Sequence, residues 1–348
     1  MNKIAKLTLC CFMFLAAEIL HAHGASGAVK ITYGHGFMPH TPQARAAEEF
    51  KKRVEKESDG SLLVDVFPSG QLGSAREMFE SVQMGTQEIA LLPTARISGF
   101  SPTLQIFDLP FLFPDKKTAY RIFDGEVGEK LLSTLENNGV KGLAVYEDGF
   151  KNFTCNKKIE KLDNFKGLKF RTMESPIIME QFKALGANPT PVDFSELYNA
   201  LQQGTVDGQE NPLVTIASVK LYEVQKYMLL SNHAYLGHVF LVNQDWFNGL
   251  DDKEKEIISR NAKEIASWQR ELVAQEEMGY LEKIKQGGTV VLELLYRYVR
   301  ESPVILKPSS PISPPSTCIT FSLLKPAGKS ANLTSSLITS YTCPLKSP

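Results

Sequence analysis

The chain has few cysteines, no marked excess of either charge and no apolar run long enough to cross a membrane. Five of its 348 residues are cysteine, and beyond residue 27 only Cys155, Cys318 and Cys343 remain. Three scattered thiols exclude a disulfide-built scaffold and offer no CxxC metal pair, so Cys155 is expected as a small buried apolar residue. The 38 Lys and Arg face 39 Asp and Glu, a formal net charge of −1. A balance that close argues against nucleic-acid binding, because phosphate contacts need a basic surplus. The apolar stretch at residues 7–20 falls short of a membrane span. Preceded by Lys3 and Lys6, interrupted by Glu18 and followed by Ala25-Ser26-Gly27, it has the layout of an export leader, residues 1–27, cleaved near Ala28.

Catalytic signatures are equally scarce. Gly34-His35-Gly36-Phe37-Met38-Pro39 follows a predicted strand, but Pro39 stands where a dinucleotide fingerprint needs its third glycine. No HExxH, Walker or GxSxG sequence occurs. His35 and His40 are separated by a proline and share neither a helix face nor a strand face. Loop histidines bonded to backbone or water are therefore favoured over a metal pair. No metal and no cofactor is expected.

With 43% apolar residues the chain can bury a core, and its body alternates strand and helix patterns. Residues 29–33, 62–67 and 88–92 read as strands. Between them Thr41-Pro42 caps one helix, and Ser74-Ala-Arg-Glu77 forms a capping box for another. This βαβαβ order predicts a parallel sheet with helices on both faces. After Gly139 the grammar restarts, with strands at 141–146 and 168–171 and a helix at 176–185. Asp193-Phe-Ser-Glu196 caps a helix to 203, and a strand returns at 239–242. Residues 251–286 keep a helical pattern beyond the ordinary globular length, so this element is expected to cross more than one structural unit. The fold class is α/β: two lobes with an interlobe cleft and a long bridging helix. Residues 294–348 differ, with six Lys and Arg, one acid and recurring Ser and Pro. They read either as an irregular tail or as the product of a shifted reading frame. Residues 28–293 are left with 30 Lys and Arg against 37 Asp and Glu, net −7.

The most informative stretch runs from Gly167 to Pro212. Arg171 ends a short apolar strand, and strand ends are where open α/β sheets bind ligands. Gly204-Thr-Val-Asp-Gly208-Gln-Glu-Asn211-Pro212 is expected to form a turn displaying Glu210 and Asn211 beside a helix start. An Arg fork and a carboxamide can together hold one carboxylate. An internal Arg171–Glu210 ion pair fits the spacing equally well.

These residues resemble a known family. Gly-Leu-Lys-Phe-Arg (167–171), Ala-Leu-Gly-Ala-Asn-Pro-Thr-Pro-Val (184–192), Phe-Ser-Glu-Leu-Tyr-Asn-Ala-Leu-Gln (194–202) and Val-Asp-Gly-Gln-Glu-Asn-Pro (206–212) are similar to the DctP-type solute-binding subunits of tripartite ATP-independent periplasmic (TRAP) transporters. So are Phe-Pro-Ser-Gly-Gln-Leu-Gly (67–73) and Phe-Asp-Leu-Pro-Phe (107–111), and the resemblance spans residues 28–291. It implies a monomeric periplasmic clamp that closes on an organic acid, a mono- or dicarboxylate, and delivers it to a TRAP membrane permease. It also implies that Arg171 forms a bidentate bridge to the ligand carboxylate, that Asn211 donates a further hydrogen bond and that Phe194 lines the cleft. Lys151 stands where some members place a second arginine. Pro93 and Thr94 occupy a loop that sialic-acid-type members equip with a glutamate, which shifts the expectation to a smaller acid. His35 is a further candidate contact.

The expected lobes are residues 28–148 plus 239–275 and residues 149–238 plus 276–293, with 294–348 as a separate tail and hinges near 148–151 and 235–239. Two other uses of such a site stay open. One is a sensing subunit for a receptor kinase, the other an exported organic-acid enzyme with Glu174 or Glu210 as its acid or base.

Overall fold

The computed structural model describes residues 28–293 and three short strands beyond them. The expected leader, Cys318, Cys343 and the rest of the tail lie outside the described residues. The first unit comprises β1 (Val29–His35), α1 (Pro42–Glu57), β2 (Leu62–Phe67), α2 (Ala75–Met84), β3 (Ile89–Pro93), α3 (Thr94–Ile97), α4 (Lys116–Phe123) and α5 (Glu126–Ser133). A long strand, β4 (Val140–Cys155), leads into β5 (Lys169–Thr172), α6 (Pro176–Ala184), β6 (Asn188–Pro191), α7 (Leu197–Gln202), β7 (Gly208–Pro212) and α8 (Leu213–Ser218). A second long strand, β8 (Tyr227–Asn243), returns to α9 (Gln244–Gly249), α10 (Asp252–Gln286) and β9 (Val290–Glu293).

The helix starts follow from their caps. Thr41 accepts from Ala44 N ahead of Pro42, and Ser74 and Glu77 close the expected capping box. Asp251 and Glu254 form another box at the head of α10, whose 35 residues extend about 52 Å at 1.5 Å per residue. The helix after Asp193 begins later than expected. Asp193 accepts from Ser195 instead of capping, and α7 starts at Leu197.

Nine strands form one mixed sheet, ordered β2-β1-β3-β8-β4-β7-β5-β6 with β9 on β8. The expected parallel pairing holds for β1 with β2 and β3, but β3 meets β8 antiparallel. The expected short strands 141–146 and 239–242 are halves of β4 and β8, which pair with each other from Val140–Asn243 to Cys155–Tyr227 and join the two lobes. Four apolar clusters fill the lobes. The one under α1 includes Ile257 and Ile265 of α10, while Leu281 and Ile284 of the same helix belong to another with α7 and α8. Cys155 is buried and free, as expected. In the tail, where irregular structure was expected, β10 (Lys307–Pro308), β11 (Thr320–Leu323) and β12 (Thr339–Thr342) pair antiparallel.

Candidate functional site

β3 ends at Pro93 beside His238 of β8, whereas β7 ends at Pro212 beside Lys151 of β4. Between these levels β4 and β8 run alone across the gap between the lobes. There the register slips between Glu147 and Gly149, making Asp148 the extra residue of a β-bulge, with Gly149 at φ +124°. A cleft of about 580 Å³ lies over this crossing. Its lining includes Phe37, Met38, Ser74, Pro93 and Arg96 from the first lobe, Arg171, Met173, Phe194, Asn211 and Thr215 from the second, and Asp148 and His238 from the crossing strands.

Arg171 is placed by the alternation of β5. Phe170 points into an aromatic cluster with Phe153, Phe165 and Phe182, so Arg171 takes the opposite face. Asp207 fixes the start of the strand, accepting from Lys169 N at 2.8 Å and donating its own N–H to Lys169 O at 2.7 Å. The Arg171 side chain is buried. Its Nε donates to Val192 O at 3.0 Å, while a terminal nitrogen, Nη2, has no partner. Burial, then the nearby Arg96 guanidinium, pushes its pKa down to about 9. Arg96 comes from α3 in the other lobe, donates to the same Val192 oxygen at 3.0 Å and lies 3.8 Å from Asp193.

Asn211 is held by a buried relay. Its amide donates to Gln209 Oε1, Gln209 Nε2 donates to Thr154 Oγ1 at 2.9 Å, and that hydroxyl donates to Gln225 Oε1 at 2.9 Å. Glu210 and Asn211 lie on a strand, not on the expected turn. Gly208 opens that strand because a Cβ there would come within 2.4 Å of Thr154 O. Asp148 accepts from Thr215 Oγ1 at 3.0 Å and from Gln43 Nε2 at 3.3 Å. Burial, with Glu147 adding to it, raises the Asp148 carboxyl to about 7.

Lys151 and His35 do not line this cleft. Lys151 is buried in an ion pair with Glu210, which also accepts from His233 Nε2 at 2.6 Å and Gln181 Nε2 at 3.2 Å. Burial alone would raise Glu210, but Lys151 and His233 hold it at about 2. The Arg171–Glu210 ion pair that fitted the spacing is absent, since Glu210 is engaged by these groups. Neither Glu174 nor Glu210 faces the cleft as an acid or base. Next to this cluster, Ser175 Oγ donates to Asp108 Oδ2 at 2.7 Å, and Phe111 N donates to His233 O at 2.7 Å. His35 is buried at the end of β1, where Nδ1 accepts from Phe37 N at 3.2 Å. It lines a separate hollow of about 250 Å³ together with His40 and Arg45.

The histidine at the cleft is His238, its ring tilted against Phe37 with centroids 4.5 Å apart and held neutral by burial, with a pKa near 3. Sequence reasoning missed both Arg96 and His238. Arg96 comes three residues after β3 ends, and the strand-end rule applied to Arg171 could have found it. His238 carries no local signal, because only the pairing of Pro93 with His238 brings it to the cleft. Among the described residues no three His, Cys, Asp or Glu side chains are grouped to hold a metal ion.

Two lobes joined by crossing strands, with buried cationic and polar groups facing the gap, define a solute-binding protein of the two-lobed kind. The chain belongs to bacterial extracellular solute-binding protein family 7, the DctP family, which it matches over residues 33–301. It is 39% identical to a sugar acid binding protein from Advenella mimigardefordensis solved in complex with galactonate, with a TM-score of 0.77 covering 79% of this chain and 89% of that one. The 2,3-diketo-L-gulonate-binding periplasmic protein YiaO of Escherichia coli is 33% identical, over 82% of this chain and 87% of its own. The C4-dicarboxylate-binding periplasmic protein DctP of Rhodobacter capsulatus is 35% identical, over 75% of this chain and 79% of its own.

Proposed function

We propose that this protein captures an organic acid in the periplasm and hands it to a TRAP permease. In this reading Arg171 receives the ligand carboxylate, aided by Arg96 from the facing lobe and by the Asn211 amide. One observation carries the proposal: a buried guanidinium on the cleft wall keeps a terminal nitrogen without a partner. Leaving a charged donor buried and unsatisfied is costly, and an anionic guest relieves it. Each charge-assisted hydrogen bond contributes about 1.5–3 kcal/mol, so two or three supply much of the roughly 8 kcal/mol of a micromolar complex. The relatives' ligands, all organic acids, support the same reading.

Closure follows from geometry. Arg96 and Arg171 belong to residues 28–148 plus 239–275 and residues 149–238 plus 276–293, respectively, the two lobes we assign. An anion between them favours the state in which both reach it. The bulge at Asp148 and its partners at 235–237 form the hinge of this scheme. Phe194 and Pro93 shape the walls.

A thermal-shift panel of carboxylic acids and their uncharged amides tests the reading. Acids at 100 times their dissociation constant are expected to stabilise the protein by about 2.7 kcal/mol, and the amides not at all. Equal shifts from acids and amides would remove the carboxylate from the account.

A further inference from the structure

Three buried side chains behind the cleft wall decide which way the Asn211 amide faces. Gln209, Thr154 and Gln225 do not line the cleft, yet an unbroken series of hydrogen bonds connects them to Asn211, which does. The β4–β7 register sets Thr154 opposite Gln209, and Gln209 shares a strand face with Asn211 two positions on. Gln225, just ahead of β8, closes the series at its other end.

A carboxamide has two orientations of nearly the same shape, and turning it over exchanges its donors for an acceptor. Here the end remote from the cleft chooses between them. Gln225 Nε2 donates to Val224 O at 3.1 Å and to Asp207 O at 3.4 Å, and a carbonyl oxygen can only accept. Gln225 Oε1 is therefore turned to Thr154, whose hydroxyl gives its single proton to it. The Thr154 oxygen is left to accept from Gln209 Nε2, so Gln209 Oε1 faces Asn211 and takes one N–H of that amide. The other N–H and Oδ1 of Asn211 have no side-chain partner among the described residues and remain for the cleft. Reversing any one amide of the series would set two donors or two acceptors against each other in a buried place, which costs a hydrogen bond and the desolvation of both groups. Asp207, whose carbonyl anchors Gln225, also fixes the start of β5, the strand that carries Arg171.

We infer that Gln225 and Thr154 are positioning residues for ligand binding: anchored on backbone carbonyls away from the cleft, they hold the Asn211 amide in the single orientation that the ligand meets. The inference rests on the ligand contact proposed above for Asn211.

Titration calorimetry with D-galactonate and with succinate, followed for whichever binds more tightly, tests it. Thr154→Val keeps the shape and removes the hydroxyl. It is expected to weaken binding about tenfold, the equivalent of one hydrogen bond, whereas Thr154→Ser stays within about twofold of wild type. Gln225→Met is expected to weaken binding about threefold. In an Asn211→Ala background Thr154→Val is expected to add nothing, because it acts through that amide. A Thr154→Val variant that binds like wild type while Asn211→Ala binds weakly overturns this inference alone. So does one that weakens the Asn211→Ala background as much as it weakens wild type. If Asn211→Ala itself binds like wild type, the contact proposed for Asn211 fails first. A neutron structure of the wild-type protein needs neither a bound acid nor a stable variant, since it distinguishes amide nitrogen from oxygen by the deuterons. Asn211 Nδ2 donating to Gln209 is the expected result, and a series running the other way overturns the inference.

Discussion

Two buried cations lie on the second lobe and its crossing strand, and they have opposite surroundings. Lys151 is enclosed with Glu210, which His233 and Gln181 also serve, and Ser175 and Asp108 continue the polar cluster into the other lobe. Arg171 donates to one backbone carbonyl and lies beside another guanidinium, while Asp193 and Glu210 act on it only electrostatically, with no ion pair to it. A buried cation with its counter-ion built in maintains the fold. One without a counter-ion in contact is held ready for an anion from outside, at a cost that folding elsewhere must cover. Burial alone does not separate the two, since both side chains are almost fully enclosed. The location of the matching negative charge does.

The comparison breaks most visibly at Lys151. Lys151→Met leaves Glu210 buried without its main counter-ion and is expected to cost about 3–5 kcal/mol in denaturant unfolding, with ligand affinity changed far less. A variant as stable as wild type but unable to bind acids would move Lys151 into the cleft and reverse its role.

The carboxyls sharpen the comparison by a smaller amount. Burial raises Asp108, in the Lys151 cluster, and Asp148, in the cleft, to about 7, against about 3.9 in the unfolded chain. The folded state therefore holds protons that the unfolded state has released. This contribution to stability is full below pH 4 and is lost as pH rises through 7, at up to about 1.4 kcal/mol per pH unit for each group. Glu210, held at about 2, has the opposite effect and acts only in acid, below pH 4.5. Buried His35 and His238, lowered to about 4 and 3, act the other way up to about pH 6.5, so unfolding free energy is expected to fall between pH 6.5 and 8, and Asp108→Asn and Asp148→Asn each to flatten that slope. A slope unaltered by both changes would contradict it.

What the sequence revealed was mostly local. The capping box at Ser74, the helical pattern that starts at Asp251 and the position of Arg171 near a strand end depend on residues within a few places of each other, and they stand as read. The long strands were half hidden. In β4 the polar run Glu147, Asp148, Lys151, Asn152 and Thr154 is buried by pairing with β7 and β8, which no alternation of polar and apolar residues signals. Lys151 was read from the place where some members of the resembled family carry a second arginine. Its partner Glu210, 59 positions away, reaches it through the β4–β7 register, so the pairing that decides its role was invisible in the chain. His238 and the bulge at Asp148 depend on β4 and β8 in the same way.

Titration calorimetry of Arg171→Ala, using whichever acid gives the largest thermal shift, tests the central claim most directly. Loss of the free guanidinium is expected to weaken binding at least about a hundredfold, or 2.7 kcal/mol, while leaving the unliganded protein folded. An unchanged dissociation constant would contradict it.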